Sequence, residues 1–179
     1  MDASAAIPGE GAFAASGTGI TVLGESDVWI GTGGYGASRV YHSTDGGRTW
    51  TVGFAPIRAD SANAGIFSLA FSDALHGIAV GGDYSKPKET AGNIALTVDG
   101  CKTWFMATTP PKGFRSAVAY LGDRKIWIAV GTSGSDISTD DGRNWKPIDS
   151  ENYNAVSFSS AKAGWAVGPA GRIAKFAMP

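Results

Sequence analysis

The side chains that could do chemistry are few and scattered. Asp60, Asp83, Glu89 and Asp136 are the carboxylates from which an acidic pair could be drawn. In glycosidic bond cleavage one member of such a pair protonates the leaving oxygen while the other acts as base or nucleophile. Tyr35, Arg39, Arg58, Tyr84, Lys86, Lys112 and Arg115 supply ring faces and cations suited to a sugar or an anionic group. No spacing among these residues matches a nucleophile with its base and oxyanion donors, so no catalytic residue is assigned. His42 and His76 are isolated and read as ordinary strand and turn residues, so no metal site is expected. Cys101 is the single cysteine, which excludes an internal disulfide, and its place in a polar turn predicts an exposed, inert thiol. Gly31-Thr32-Gly33-Gly34-Tyr35-Gly36 has the glycines of a phosphate cradle without the helix that must follow, so no nicotinamide or flavin cofactor is expected.

What must position these residues is written in a repeat. Ser43-Thr44-Asp45-Gly46-Gly47-Arg48-Thr49-Trp50 returns as Thr97-Val98-Asp99-Gly100-Cys101-Lys102-Thr103-Trp104 and as Ser138-Thr139-Asp140-Asp141-Gly142-Arg143-Asn144-Trp145. In each, the Asp carboxylate can accept backbone N–H groups within a turn, and the Trp anchors the returning strand. Because each copy keeps at least one glycine, one left-handed residue per turn is expected to suffice. A second phrase recurs as Ile30-Gly31-Thr32-Gly33, Ile78-Ala79-Val80-Gly81, Ile128-Ala129-Val130-Gly131 and Trp165-Ala166-Val167-Gly168. Its four copies mark four units at roughly 40 to 50 residues each, the last somewhat closer.

The repeated turn resembles the Asp-box, or bacterial neuraminidase repeat, of β-propellers. In that reading the structural positions are Ser43, Asp45, Gly47 and Trp50, then Thr97, Asp99 and Trp104, then Ser138, Asp140, Gly142 and Trp145. Phrases such as Gly11-Ala12-Phe13-Ala14-Ala15-Ser16-Gly17-Thr18 and Gly77-Ile78-Ala79-Val80-Gly81-Gly82-Asp83-Tyr84 extend the likeness. They are similar to the C-terminal half of bacterial proteins of the photosystem stability and assembly factor type. The resemblance implies an all-β fold of four-stranded antiparallel blades, either a half-propeller or a small propeller, in a single domain over residues 1–179. Sialidases share the turn, but the Arg-Ile-Pro motif and the tyrosine–glutamate pair of that chemistry are missing.

Alternating apolar and small residues, broken by glycine every few positions, give the strands. Blade one is expected at 19–23, 28–32, 39–43 and 49–54, blade two at 66–72, 77–81, 93–97 and 103–108, and blade three at 115–121, 126–131, 135–139 and 144–148. Blade four offers 154–159, 165–168 and 172–176 and lacks an outer strand, so fifteen strands are expected. Trp50, Trp104 and Trp145 are expected between blades, and Trp29, Trp127 and Trp165 beneath the second strands. Binding in such folds uses the face where the second-to-third-strand loops and the blade-to-blade connections emerge. On that face stand Tyr35, Arg39, Arg58, Asp83, Tyr84, Lys86, Arg115 and Asp136. The loop of residues 83–92 is longer than a hairpin needs, which singles it out.

Composition narrows the function. With 15 basic and 16 acidic residues the net charge is -1, which leaves no electrostatic footprint for a nucleic-acid partner. No apolar run approaches the roughly 20 residues of a membrane span, so membrane insertion is not expected. The start Met1-Asp2-Ala3-Ser4 carries an acid where a signal peptide has a basic region, although relatives are often exported. The reading is a non-enzymatic binding or assembly scaffold for an unknown protein or glycan, with a glycan-active hydrolase of sialidase-like architecture as the alternative. Two open edges predict a homodimer that closes a ring, against the rival of a fragment from a longer chain. The segment 11–16, in the same chain or a partner, is expected to supply blade four's missing strand.

Overall fold

A computed structural model describes residues 5–122, 125–160 and 162–176. Among these residues the regular structure is β, apart from 3-10 residues at Gly122 and in the turn Pro169–Gly171. The four antiparallel sheets follow one another along the chain as propeller blades. Blade one comprises β2 (Ile20–Leu23), β3 (Asp27–Gly31), β5 (Ser38–Ser43) and β6 (Thr51–Ala55). Blade two is built from β7 (Asp60–Phe71), β8 (Gly77–Asp83) and β9 (Ile94–Thr97), with β1 (Glu10–Gly11) and β4 (Gly33–Tyr35) added on its inner edge. Blade three holds β10 (Ala117–Leu121), β11 (Ile126–Gly131), β12 (Gly134–Ser138) and β13 (Lys146–Asp149). Blade four holds β14 (Ala155–Ser160), β15 (Ala163–Val167) and β16 (Ile173–Phe176).

Strand positions match expectation within a few residues, with two departures that make the count sixteen among the described residues rather than fifteen. The first concerns the outer strand of blade two. Only Phe105 bridges to β9, at Leu96. Beyond it the chain turns to blade three, where Thr108 and Thr109 donate their N–H groups to the Arg143 carbonyl at 2.9 and 3.1 Å. Pro110 and Pro111 have no N–H to continue a ladder, so the strand ends there. The second concerns segment 11–16. It does not extend blade four: Glu10 and Gly11 pair with Gly34 and Gly33, and Phe13 stacks on Phe67 with ring centroids 4.1 Å apart. Gly33 and Gly65 lie back to back under that ring, where a Cβ on either would overlap the other's backbone, so the approach depends on glycine.

The three repeated turns share one hydrogen-bond plan. Ser43 Oγ donates to Asp45 Oδ1 and accepts the Gly47 N–H, both at 2.8 Å, while Asp45 accepts the N–H groups of Arg48 and Thr49 at 2.9 and 2.8 Å. Thr97 with Asp99 and Ser138 with Asp140 repeat the arrangement, with Asn144 replacing the threonine in the third copy. Each turn uses two left-handed residues rather than one: Gly46 and Gly47, Gly100 and Cys101, Asp141 and Gly142. Cys101 and Asp141 therefore bear a strain that glycine would not.

The core consists of three interfaces between successive blades. Trp29 lies fully buried between Phe71 and His42, at centroid distances of 3.9 and 4.5 Å, and such pairs add about 0.5–1.5 kcal/mol beyond area burial. Trp127 and Trp145 are also buried, whereas Trp50 and Trp104 are half-buried and Trp165 is 45% exposed, because among the described residues no strand packs on that side of blade four. Cys101 is buried, contrary to the exposed thiol expected from its polar turn. The turn tucks under blade one, where the thiol donates to the Val40 carbonyl at 3.4 Å and burial raises its pKa. Gly53 makes this possible, since a Cβ there would run into the Cys101 carbonyl.

Strand register also corrects the second repeated phrase. Val28, Gly77 and Trp127 each pair with the first residue of a repeated turn, so Ile30, not Gly31, stands at the position of Ala79 and Ala129. Ile30 consequently points away from blade two, and Gly31 faces it.

Candidate functional site

One face of the arc carries the loops that join second to third strands and the connections between blades. We call it the upper face. The long loop, 84–93, dominates it and is tied down on both sides. Toward blade one, the Arg58 N–H donates to the Gly92 carbonyl at 2.9 Å and the Arg58 guanidinium pairs with Glu89. Toward blade three, the Pro87 carbonyl accepts the Phe114 N–H at 3.0 Å and the Ser133 hydroxyl at 2.7 Å. A loop held at both ends in this way presents a fixed surface rather than a lid.

Arg58 is the hub of the exposed polar groups. It clasps Asp60 through two parallel hydrogen bonds, Nε to Oδ1 at 2.6 Å and Nη2 to Oδ2 at 2.7 Å, and turns its remaining nitrogen to Glu89. Those bonds hold the Asp60 carboxyl below the usual carboxylate range. Tyr84 stands beside them, 48% exposed, with its hydroxyl donating to Asn63 Oδ1 at 2.7 Å and its ring set edge-on against Phe67. Phe67 in turn meets Phe114 at 4.7 Å and Phe13 at 4.1 Å, so one exposed ring rests on three packed ones. Tyr35 is 57% exposed at the end of β4, opposite Asp60 in register. The chain thereby brings Tyr35, Arg58, Asp60, Tyr84, Lys86 and Glu89 to one surface. A shallow depression of about 460 Å³, lined by Ser38, Phe54, Arg58 and Asp60 among others, opens next to it.

The other residues singled out in the sequence are built into the frame. Asp83 ends β8 almost fully buried, bonded by the Ser85 hydroxyl and N–H at 2.6 and 2.9 Å and by the Ser61 hydroxyl at 3.2 Å. Burial alone would raise its carboxyl, but these donors hold it below the ordinary range. Arg115 and Asp136 form an ion pair sealed within blade three, which the Lys112 N–H joins at 3.3 Å. Arg39 is buried beneath the N-terminal segment, paired with Glu10. Glu10 also accepts the Thr32 hydroxyl at 2.6 Å and the Ile7 N–H at 3.0 Å. Burial pushes its carboxyl up, and the bonds from Arg39, Thr32 and Ile7 prevail and bring it down to about 2.

Several contributors escaped the sequence reading. Asn63, Ser61, Phe67 and Glu10 lie outside the loops and carry no motif. Asn93 fixes the next connection by donating to the carbonyls of Pro111 and Gly113 at 2.9 and 2.7 Å. Length mismatch was the signal that found the loop; only the fold could find its supports. On the opposite face a groove of about 280 Å³ runs between blades two and three past Asp73, His76, Tyr120 and Arg143. His76 is spent there on Asp73 at 2.9 Å, and His42 on Asp27 at 3.1 Å. Among the described residues no group of three His, Cys, Asp or Glu side chains is placed to hold a metal ion.

These features define a β-propeller with an ordered, charged and aromatic upper face. No protein-family profile and no curated protein matches the chain. Solved structures do match it. The GH74 enzyme of Niastella koreensis superposes with a TM-score of 0.59 at 16% identity, covering 85% of this chain and 27% of that one. The GH74 xyloglucanase of Xanthomonas campestris gives 0.60 at 13% identity, covering 84% and 27%. YCF48 bound to D1 peptide gives 0.52 at 19% identity, covering 87% and 47%. The likeness is one of fold, and this chain spans about a quarter of the length of the two GH74 chains and about half that of YCF48.

Proposed function

We infer that the chain is a non-enzymatic binding or assembly scaffold whose recognition surface is the upper face, centred on Arg58, Tyr84 and the loop 84–93. Its structural neighbours include both GH74 enzymes, one of them a xyloglucanase, and YCF48 bound to D1 peptide, so the choice between the classes falls to this chain's own residues.

The observation that carries the reading is the state of the upper-face carboxylates. A glycosidase needs one carboxyl that keeps its proton near neutral pH, which requires an environment that raises its pKa. Asp60 and Asp83 are shifted the other way, by Arg58 and by the Ser85 and Ser61 donors, and Glu89 is paired with Arg58. Such groups suit a fixed pattern of charge. Exposed Tyr35 and Tyr84 offer ring faces, and Asp60 and Glu89 beside them charge-assisted hydrogen bonds, to a polar ligand, peptide or glycan, while Asp83 stays built into the frame.

The test is binding by the whole chain to peptide and glycan arrays, read with two upper-face variants, Tyr84→Ala and Arg58→Ala, and one opposite-face variant, His76→Ala. Ligands lost in both upper-face variants and kept in His76→Ala support the reading. Ligands lost only in His76→Ala place recognition on the other face and overturn it.

A further inference from the structure

The two ends of the blade arc carry side chains that inner blades bury. Register makes the comparison strand for strand. On the face of blade four turned away from blade three, Trp165 and Val167 are each 45% exposed. Their equivalents are Ile78 and Val80 in blade two, 1% and 0% exposed, and Ile128 and Val130 in blade three, both 0%. Ile173, beside Val167, is 73% exposed. At the other end, Ile20 is 51% exposed where Leu69, Val118 and Val156 show 1%, 2% and 7%. Val22 and Phe54 on the same face reach 60% and 66%. Trp50, half-buried, has the place from which Trp104 and Trp145 pack across onto the blade before them.

We propose that these two faces are the halves of one interface and that a second copy of this chain completes it. Blade four of one copy follows onto blade one of the other at two equivalent junctions, which gives an eight-blade ring. What covers the blade-four face must present the leading side of a blade, and what covers the blade-one face must present the trailing side. This chain carries both, so a single twofold arrangement buries both at once. Eight blades lie at the upper end of the usual range of about four to eight. The junction between copies differs from an inner one in size. Ile30 and Tyr41 stand where blade two has Ala79 and Ala95, and Trp165 stands where it has Ile78, so larger side chains fill a wider gap. The Arg39 and Glu10 charges near this face are already paired with each other and impose no lone charge on it.

Light scattering on the chain at about 100 μM reads the assembly, and single variants of exposed residues read its geometry without touching the core. The expected mass is twice 18.4 kDa. Ile173→Asp and Val22→Asp should each yield monomers, and an equimolar mixture of the two should recover a dimer through the one junction that carries neither change. A wild-type monomer overturns the proposal. So does a dimer that Ile173→Asp breaks and Val22→Asp does not, since blade four would then be packing on itself. Open-ended polymers would contradict the closed ring.

Discussion

Arg115 and Asp136 face each other inside blade three, Nε to Oδ2 at 2.8 Å, with both side chains 1% exposed. The pair joins the residues leading into β10 to the middle of β12, and Lys112 and Ser133 add bonds to it from the loops above. Removing one partner strands the other without water. Arg115→Ala is therefore expected to cost about 3–5 kcal/mol. A lower denaturation midpoint whose shift, multiplied by an unchanged slope, equals that loss is the expected result.

The repeated turns make opposite predictions at adjacent positions. Gly142 is left-handed at φ 80°, and a Cβ there would strike Ile78 and Leu96, so Gly142→Ala should destabilise by roughly 2 kcal/mol or more. Asp141, exposed at φ 56°, carries strain for no buried contact, and Asp141→Gly should stabilise by up to about 1 kcal/mol. Thermal melting of the two variants reads both signs.

Acid should weaken the fold over a defined range. Glu10 and Asp45 are each held at about 2 in the folded chain, against ordinary values of 4.5 and 3.8. For Asp45 the Thr49 N–H and hydroxyl are the main cause. A depressed carboxyl contributes stability above its unfolded pKa and loses it as pH falls through the folded one. Stability measured by urea titration should hold above about pH 5 and decline toward pH 2, and Glu10→Gln should flatten part of that decline.

Arg58→Ala tests the rigidity of the upper face. Because the Arg58 ion pairs lie at the solvent-exposed surface, global stability should change little. Loss of the Glu89 clasp should nevertheless speed hydrogen exchange across residues 85–91. Unchanged exchange would mean that the backbone bond from residue 58 to Gly92 and the Pro87 anchor to Phe114 and Ser133 hold the loop without the clasp.

The fold was largely legible because the Ser-x-Asp turn is local chemistry: Ser43 and Asp45 make their bonds within six residues, whatever surrounds them. Strand positions followed from alternation for the same reason. What escaped depends on partners distant in sequence. Cys101 reads as a turn residue and is buried by Val40, 61 positions away; Glu10 reads as an N-terminal acid and neutralises Arg39, 29 positions away. The outer strand of blade two was misread because Arg143 captures its far end. Of the upper-face residues, Tyr84 and Lys86 were found by loop length and Arg58 by its place on the same face, whereas the burial of Arg39, Arg115 and Asp136 needed the packed sheets.

The central claim is that the upper face holds a ligand without cleaving it. The direct measurement is product release from a panel of fluorogenic glycosides, sialosides and xyloglucan oligosaccharides included, by the wild-type chain between pH 4 and 7. Asp83→Ala and Glu89→Gln, each checked for intact folding by circular dichroism, serve as controls. The account predicts release no faster than in buffer for all three proteins. Wild-type turnover that either substitution abolishes would contradict it.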